Sequence, residues 1–165
     1  MHVTENQLGL DIGCGEEKQP NMLGLDCRAT PEVDVIADAQ ALPFRTESIQ
    51  HVFSSHLIEH FGHTQIPSIL SEWVRVIQKG GTIEIRCPDL RARALLFFLN
   101  PSWQNIRRIY GGQDYPGNFH KSGFSYGLLK GLLNSCGITK VKRIIKGYKG
   151  IPFLPDSLHV KGVKE

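Results

Sequence analysis

The chain lacks any apolar run long enough to cross a membrane, which takes about 20 residues, and it lacks a Cys-x-x-Cys pair. Its four cysteines are scattered, which argues against a disulfide framework or a cysteine-rich zinc site and predicts free thiols in a reducing compartment. The first seven residues lack the charged and apolar regions of a secretory signal peptide. We therefore expect a cytoplasmic protein with no membrane partner. The cysteines are Cys14, Cys27, Cys87 and Cys136.

Internal repeats, low-complexity tracts and linkers are also missing from the 165 residues. A chain of this length can bury one hydrophobic core. We predict a single domain over residues 1–165.

Charge is distributed unevenly along the chain. Residues 1–85 hold five Lys and Arg against twelve Asp and Glu, whereas residues 86–165 hold fourteen against four. The second half therefore carries the positive charge. Chance clustering on a solvated surface is one explanation, and an anionic substrate such as an acidic or phosphorylated glycan is the other. Nucleic acid is a further anionic partner, although no RNA-binding motif indicates it.

The most informative stretch is Leu8–Gly15 followed by Met22–Asp26, with the sequences LGLDIGCG and MLGLD. An apolar strand enters a Gly-x-Gly turn, and a second apolar strand ends on a carboxylate. Glycines allow close approach of a ligand to the backbone, and an Asp at the next strand tip can accept hydrogen bonds from two ribose hydroxyls. The pattern predicts a nucleotide-like ligand.

Strand and helix signals alternate along the rest of the chain. Amphipathic spacing predicts a helix over 64–78, Pro88-Asp89 predicts the start of another, and a third is expected over 125–135. Residues 101–122 are expected to be irregular. Strands are predicted at 8–12, 22–26, 33–37, 51–54, 82–87, 140–145 and 157–163.

Several ordered motifs resemble the class I S-adenosylmethionine-dependent methyltransferases, especially their small type 11 branch. They are LDIGCG at 10–15, LD at 25–26, ADAQALPF at 37–44, VFSSHLIEH at 52–60, LSEWVRVIQKGG at 70–81 and IEIRCPDL at 83–90. The resemblance implies a Rossmann-like α/β fold with an open, mostly parallel seven-stranded sheet. It also implies S-adenosyl-L-methionine as cofactor and S-adenosyl-L-homocysteine as product.

The resemblance further implies a role for each matching position. Gly13, Cys14 and Gly15 would lie beneath the methionine part of the cofactor, with Asp11 binding its ammonium group. Asp26 would bind the ribose diol, Asp38 and the backbone of Ala39 would bind adenine, and Ser55 and His56 would border the sulfonium and the acceptor.

The first two connections depart from that family pattern. Only residues 13–21 and 27–32 are available between the first three predicted strands, whereas a parallel crossover normally needs about a dozen residues. We expect the first crossover helices to be shortened or missing. One sheet face would then need cover from the helix around Leu95–Leu99, from Ile151–Leu154 or from a second subunit in a homodimer.

A competing motif overlaps the methyltransferase pattern. His56, Glu59 and His60 fit His-x-x-Glu-His, which on a helix binds zinc in some metalloproteases. No third ligand is evident in the sequence, so we expect no metal and keep a zinc hydrolase as the less favoured alternative. A non-catalytic, methyltransferase-like subunit is another alternative.

The acceptor side is expected in the segment Gly111–Ser122. Its glycines suggest a lid, and His120 is the first candidate for a base or an acceptor-positioning group, with His56 second. The competing explanation is that His120 merely caps the next helix. The function predicted from the sequence is methyl transfer, with O-methylation favoured, to a small-molecule or glycan acceptor that carries negative charge.

Overall fold

The computed structural model describes residues 9–145 and 157–165. Seven strands form one sheet in the order β3-β2-β1-β4-β5-β7-β6. The first five are parallel, and β7 pairs antiparallel with both β5 and β6. This confirms the predicted open, mostly parallel sheet. The strands are β1 Gly9–Ile12, β2 Met22–Asp26, β3 Val35–Ile36, β4 Ile49–Ser55, β5 Ile77–Pro88, β6 Ile138–Arg143 and β7 Ser157–Lys164.

Four α-helices and one 3-10 turn complete the described fold: the turn Ile58–His60, α1 Ile66–Val76, α2 Leu90–Leu99, α3 Trp103–Tyr110 and α4 Tyr126–Ser135. Apolar residues at helical spacing on α1 pack on the sheet, and Trp73 is fully buried among them. Asp89 and Ser125 cap α2 and α4 by accepting from backbone N–H groups. No helix among the described residues is long and apolar enough to span a bilayer.

Helix α3 corrects the expectation that residues 101–122 are irregular. Ser102 caps it by accepting a hydrogen bond from the Asn105 amide, and Asn105 is buried, donating in turn to the Leu96 and Asn100 carbonyls. The glycines and prolines after residue 110 obscured a helix that is only eight residues long. Its polar face carries Gln104, Arg107 and Arg108 at positions one turn apart.

The first two crossovers contain no helix, which confirms the prediction of missing helices. Residues 13–21 and 27–34 lie as loops directly against β2. Asp34 holds them in place, because one of its carboxylate oxygens accepts from the Gly24 amide and from Lys18, both at 2.7 Å. Burying the backbone of such short connections requires these hydrogen bonds, since no helix satisfies the polar groups.

The sheet face that these crossovers would normally cover is polar rather than apolar. Glu84 on β5 accepts from His159 at 2.6 Å and pairs with Arg86 and Lys161, while Arg86 lies 5.0 Å above the ring of Phe53. Strands β5 and β7 thus alternate apolar and polar faces, as half-solvated strands do.

This polar face changes the expectation about its cover. Helix α2 packs mainly on α3, so the Leu95–Leu99 helix does not provide it, and Ile151–Leu154 lies outside the described residues. A homodimer was predicted as one way to cover an apolar sheet face. Because this face is polar, that argument for a homodimer no longer holds, and the oligomeric state stays a prediction.

Substitution of Gly24 tests how closely the two short loops pack on β2. A Cβ atom at Gly24 would lie 2.6 Å from the Glu32 carbonyl oxygen and 2.8 Å from Cys14 Sγ. We expect Gly24→Ala to destabilise the fold by about 1–3 kcal/mol in urea unfolding. The matched control is Gly131→Ala at an exposed position of α4, where a Cβ meets no atom within 4 Å. This substitution should raise the free energy of unfolding by roughly 0.5–1 kcal/mol. Equal effects of the two substitutions would contradict the packing.

Candidate functional site

The predicted cofactor residues follow the carboxyl ends of β1, β2, β3 and β4, which meet at one edge of the parallel sheet. Ligands of such sheets bind beyond these ends, near the point where the strand order reverses. That point here lies between β1 and β4. The structure therefore brings most of the predicted residues to one edge, although their side chains make different contacts.

The glycine turn is fixed by hydrogen bonds to β2. The Gly13 and Cys14 amides donate to the Leu25 carbonyl, and the Gly15 amide donates to Asp26. Gly13 and Gly15 both have positive φ, at 74° and 57°, which requires glycine there. A Cβ at Gly13 would also lie 2.7 Å from the Leu57 side chain. In this conformation the three amides serve the turn itself.

Asp26 connects both short loops at the tip of β2. One carboxylate oxygen accepts from the Gly15 amide at 3.0 Å, and the other accepts from the backbone amide and Nε of Arg28. Burial alone would raise the pKa of Asp26, but these hydrogen bonds outweigh it and hold the pKa below the ordinary value. The carboxylate is therefore ionised at neutral pH. The half-exposed Arg28 side chain lies over it.

Asp11 lies deeper than the resemblance suggested. Its side chain is 2% exposed, on the polar face of β1, and accepts from the Gln19 amide at 2.8 Å. Burial raises its pKa above the ordinary value, and the Gln19 hydrogen bond opposes that rise. Asp11 thereby holds the end of the first crossover loop against β1.

Asp38 and Ala39 form an exposed turn after β3. Asp38 accepts a hydrogen bond from the Gln40 amide at 2.8 Å. Trp73 Nε1 donates a hydrogen bond to the carbonyl oxygen of the buried Ala39, also at 2.8 Å. The indole of α1 thereby fixes the turn to the core. The Asp38 side chain stays at the surface, at the same sheet edge as Asp26.

Ser55 ends β4, and His56 follows it in an unusual conformation. His56 has a φ of 53°, a left-handed value uncommon outside glycine. Its amide donates to the Arg86 carbonyl, and its Nδ1 lies 3.2 Å from Glu59 Oε1. The half-exposed imidazole is thus directed away from the sheet, toward the space beyond β4 and β5.

A cavity of about 390 Å³ occupies that space. Among the described residues its lining includes three arginines and two histidines and no carboxylate. Arg107 pairs with Asp114 across 3.5 Å at the exposed rim, and Arg108 donates to the neutral Asn105 side chain. The cavity is therefore a cationic site. Its principal lining residues are His56, Arg93, Gln104, Arg107, Arg108 and His120.

His120 lines the cavity and does not cap α4, because that cap is Ser125. Its Nδ1 lies 3.0 Å from the Ile109 carbonyl oxygen, so this nitrogen carries the proton and Nε2 has the lone pair. Burial lowers the pKa of His120 below its ordinary value, although the nearby Glu59 carboxylate opposes the shift. His120 is neutral at pH 7.

Segment Gly111–Ser122 is hydrogen-bonded to the turn after β4. The Lys121 and Ser122 amides both donate to the Glu59 carbonyl oxygen. A Cβ at Gly111 would lie 2.7 Å from the Asn118 carbonyl oxygen. That glycine therefore permits close approach of two backbone segments, whereas the sequence had suggested a hinge.

Glu59, next to the cavity-lining His56, is 1% exposed. Its Oε1 contacts His56, but its buried Oε2 has no hydrogen-bond partner. One carboxylate oxygen of Glu59 and one nitrogen each of His60 and His120 lie within 4.8 Å of one another. The rings of His60 and His120 also pack edge to face, with centroids 5.3 Å apart.

The helical His-x-x-Glu-His arrangement of a zinc hydrolase does not form. Only the single turn Ile58–His60 is helical, and His56 lies before it with left-handed geometry, so His56 and His60 do not share a helix face. His120 from a distant segment joins Glu59 and His60 instead.

Two residues that line the cavity, Arg93 and Gln104, were not predicted from the sequence. The signal for Gln104 was the helical spacing of Gln104, Arg107 and Arg108, which became visible once α3 was recognised.

Comparison with known proteins agrees with this geometry. A family model described as a methyltransferase domain matches residues 17–85, which span β2 to β5. The seven-stranded, mostly parallel sheet is the one that the sequence resemblance implied. Over these residues the chain matches the type 11 methyltransferases, and the match together with the fold makes it an S-adenosylmethionine-dependent methyltransferase. Its cofactor is S-adenosyl-L-methionine.

Solved structures similar to this methyltransferase share its fold at low sequence identity. An S-adenosylmethionine-dependent methyltransferase from Archaeoglobus fulgidus has a TM-score of 0.66 at 18% identity, covering 96% of this chain and 86% of that one. One from Methanosarcina mazei has a TM-score of 0.66 at 15% identity, covering 98% and 94%.

A phosphoethanolamine N-methyltransferase 2 from Haemonchus contortus, in complex with phosphomonomethylethanolamine and S-adenosylhomocysteine, has a TM-score of 0.62 at 13% identity. That comparison covers 99% of this chain and 50% of the other. No curated protein matches the methyltransferase in sequence.

The burial of Cys14 in the glycine turn generates a prediction for thiol chemistry. Burial raises the pKa of Cys14 to about 11, and its Sγ lies 3.9 Å from the Glu32 carbonyl oxygen, whereas Cys27 is exposed. Because the thiolate is the reactive form, we expect iodoacetamide at pH 7.5 to modify Cys27 and to leave Cys14 intact. Peptide mass spectrometry after timed quenching checks this, and equal labelling of both thiols would contradict the turn's packing.

Proposed function

We propose that this methyltransferase transfers the methyl group to an oxygen of an anionic small molecule or glycan, held in the cationic cavity. The observation that carries the proposal is the cavity itself, which Arg107 and Arg108 line together with His120 beyond the ends of β4 and β5. Guanidinium groups bind carboxylates and phosphates through charge-assisted hydrogen bonds.

The cofactor is proposed to lie along the sheet edge from the glycine turn to Asp38. The Gly13–Gly15 turn, with Cys14 in its middle, would face the methionine part, and Asp26 would accept from the ribose hydroxyls. A carboxylate has about four acceptor sites, and three N–H donors engage Asp26, so binding requires the exposed Arg28 side chain to turn aside.

The remaining cofactor contacts follow from position at the same edge. Asp38 and the backbone of Ala39 would bind adenine, and Ser55 would border the sulfonium beside His56. Asp11 is buried with the Gln19 amide, so its role toward the ammonium group would run through the loop that it anchors. The order of these residues along the edge supports the proposal.

The acceptor side would contain both proposed catalytic residues. His120 presents a neutral imidazole to the cavity, and His56 reaches the same cavity from the end of β4. Methyl transfer needs an acceptor oxygen in line with the methyl group and a route for its proton. A phosphorylated molecule together with S-adenosylhomocysteine in the Haemonchus contortus enzyme supports an anionic acceptor.

The ribose assignment predicts the effect of Asp26→Ala. Leaving the ribose hydroxyls unpaired should weaken S-adenosylhomocysteine binding by about 1–3 kcal/mol in titration calorimetry. The matched control is Asp34→Ala, which removes another carboxylate that anchors the same loops but lies outside the proposed site. Equal losses in the two variants would reduce Asp26 to a structural role and remove the ribose assignment.

The acceptor proposal predicts the effect of Arg108→Gln. Removing one charge that faces the cavity should raise the acceptor KM roughly 10-fold or more and leave S-adenosylhomocysteine affinity unchanged. The control is Arg91→Gln on the exposed side of α2, which loses the same charge outside the cavity. A KM change shared by both variants would contradict a specific anion site.

The acceptor for these assays comes from a screen with methyl-labelled donor. Pools of phosphorylated sugars, uronic acids, neutral sugars and nucleic acid are compared, and we expect label in an anionic carbohydrate or small-molecule pool. Label confined to neutral acceptors would overturn the proposal, and label confined to nucleic acid would replace its acceptor class.

A further inference from the structure

We propose that Glu59, His60 and His120 bind a divalent transition-metal cation beside the cavity, which His120 also lines. One ligand atom from each residue lies within 4.8 Å of the other two. A zinc-like cation sits about 2.0–2.2 Å from nitrogen and oxygen ligands, so a small closure of the three groups would complete the site. The sequence argued against a metal because it indicated no third ligand, and the fold supplies His120.

Both imidazoles are oriented by backbone carbonyls. His60 Nδ1 donates to the Gly117 and Phe119 carbonyl oxygens at 3.1 and 3.0 Å, and His120 Nδ1 donates to the Ile109 carbonyl oxygen at 3.0 Å. In the neutral form of each ring, the lone pair then lies on the second nitrogen, Nε2, and is available to a metal. Histidine ligands of metals are oriented in this way by an acceptor on their other nitrogen.

Glu59 gives the independent observation that points to a cation. Its Oε2 is buried without a hydrogen-bond partner, although the side chain is only 1% exposed. A buried acceptor left unsatisfied costs free energy, and such groups in native proteins call for an unrecorded partner. A cation bound between Glu59 and the two imidazoles would give this oxygen a partner.

The donor set selects the class of cation. Two nitrogens and one carboxylate oxygen suit Zn²⁺ or Mn²⁺, whereas Mg²⁺ prefers oxygen ligands and keeps its waters. Three protein ligands leave at least one coordination position open, which is typical of catalytic rather than structural sites. Since His120 also lines the cavity, a cation held by it would lie next to the space proposed for the acceptor.

The role of the cation rests on the proposed function, although its binding does not. An acceptor hydroxyl bound at the open position would release its proton to solvent, because coordination lowers the hydroxyl pKa. The oxygen lone pair then forms the O–CH₃ bond. The C–S bond breaks with its electron pair on sulfur, which leaves neutral S-adenosylhomocysteine. His120 would act as a ligand in this step.

The test is direct metal binding by untagged protein stripped with chelator. We expect one Zn²⁺ per chain in titration calorimetry, one Mn²⁺ in electron paramagnetic resonance, and no displacement of Mn²⁺ by millimolar Mg²⁺. Glu59→Gln and His120→Ala should each weaken Zn²⁺ binding by roughly 100-fold or more, since removing even a group that only orients a metal ligand costs about 10–100-fold in affinity. His63→Ala, which removes an exposed imidazole nearby, is the matched control.

Thermal unfolding keeps the test independent of variant folding. Zn²⁺ should raise the melting temperature of the wild type and of His63→Ala, and should leave Glu59→Gln unchanged. Without metal, Glu59→Gln should be as stable as the wild type, because it removes a buried carboxylate with an unsatisfied oxygen. Absence of stoichiometric binding, or full binding by both ligand variants, would overturn the metal site.

The same experiment separates the two proposals. Methyl transfer to an anionic acceptor that persists in chelator, with no metal bound, would refute the cation and leave the proposed function intact. Stoichiometric metal binding without methyl transfer to any anionic acceptor would refute the proposed function and leave the metal site intact.

Discussion

Two parallel connections too short for helices constrain this methyltransferase. Nine residues join β1 to β2, and eight join β2 to β3. Because no helix satisfies the loop backbone, carboxylates on or beside β2 do so: Asp34 binds the Gly24 amide, Asp26 binds the Gly15 amide, and Asp11 binds the Gln19 amide. Asp26 and Asp11, which we propose to serve the cofactor, therefore also hold the fold, so their substitution should affect stability as well as cofactor binding.

The acceptor side depends on a second buried carboxylate. Glu59 anchors the segment that carries His120 through its backbone carbonyl, and its side chain lies among three imidazoles. Helix α3 adds arginines that line the adjacent cavity.

Much of the fold could be predicted because its signals are local. The strand, glycine turn and Asp26 lie in one short stretch, and the spacing of Trp73 and its neighbours marks α1. The open, mostly parallel seven-stranded sheet followed from the family resemblance. By contrast, α3 was missed because eight residues between prolines and glycines carry little periodicity. The polar sheet face was missed because the pairing of Glu84 with His159 joins residues far apart in sequence.

The positions of the candidate site residues in the fold could be predicted better than the contacts that their side chains make. From the sequence, Asp26 and His120 were predicted to lie at the carboxyl edge of the sheet, and their role in a site stays a prediction. The sequence could not show that three N–H groups engage Asp26 or that His120 lies close to Glu59 and His60. Such encounters depend on how distant segments pack. The most direct measurement is calorimetry of S-adenosylhomocysteine with the wild-type chain alone. The account predicts one ligand per chain despite the missing crossover helices. No binding, or binding only after a second protein is added, would contradict a complete cofactor site in this short fold.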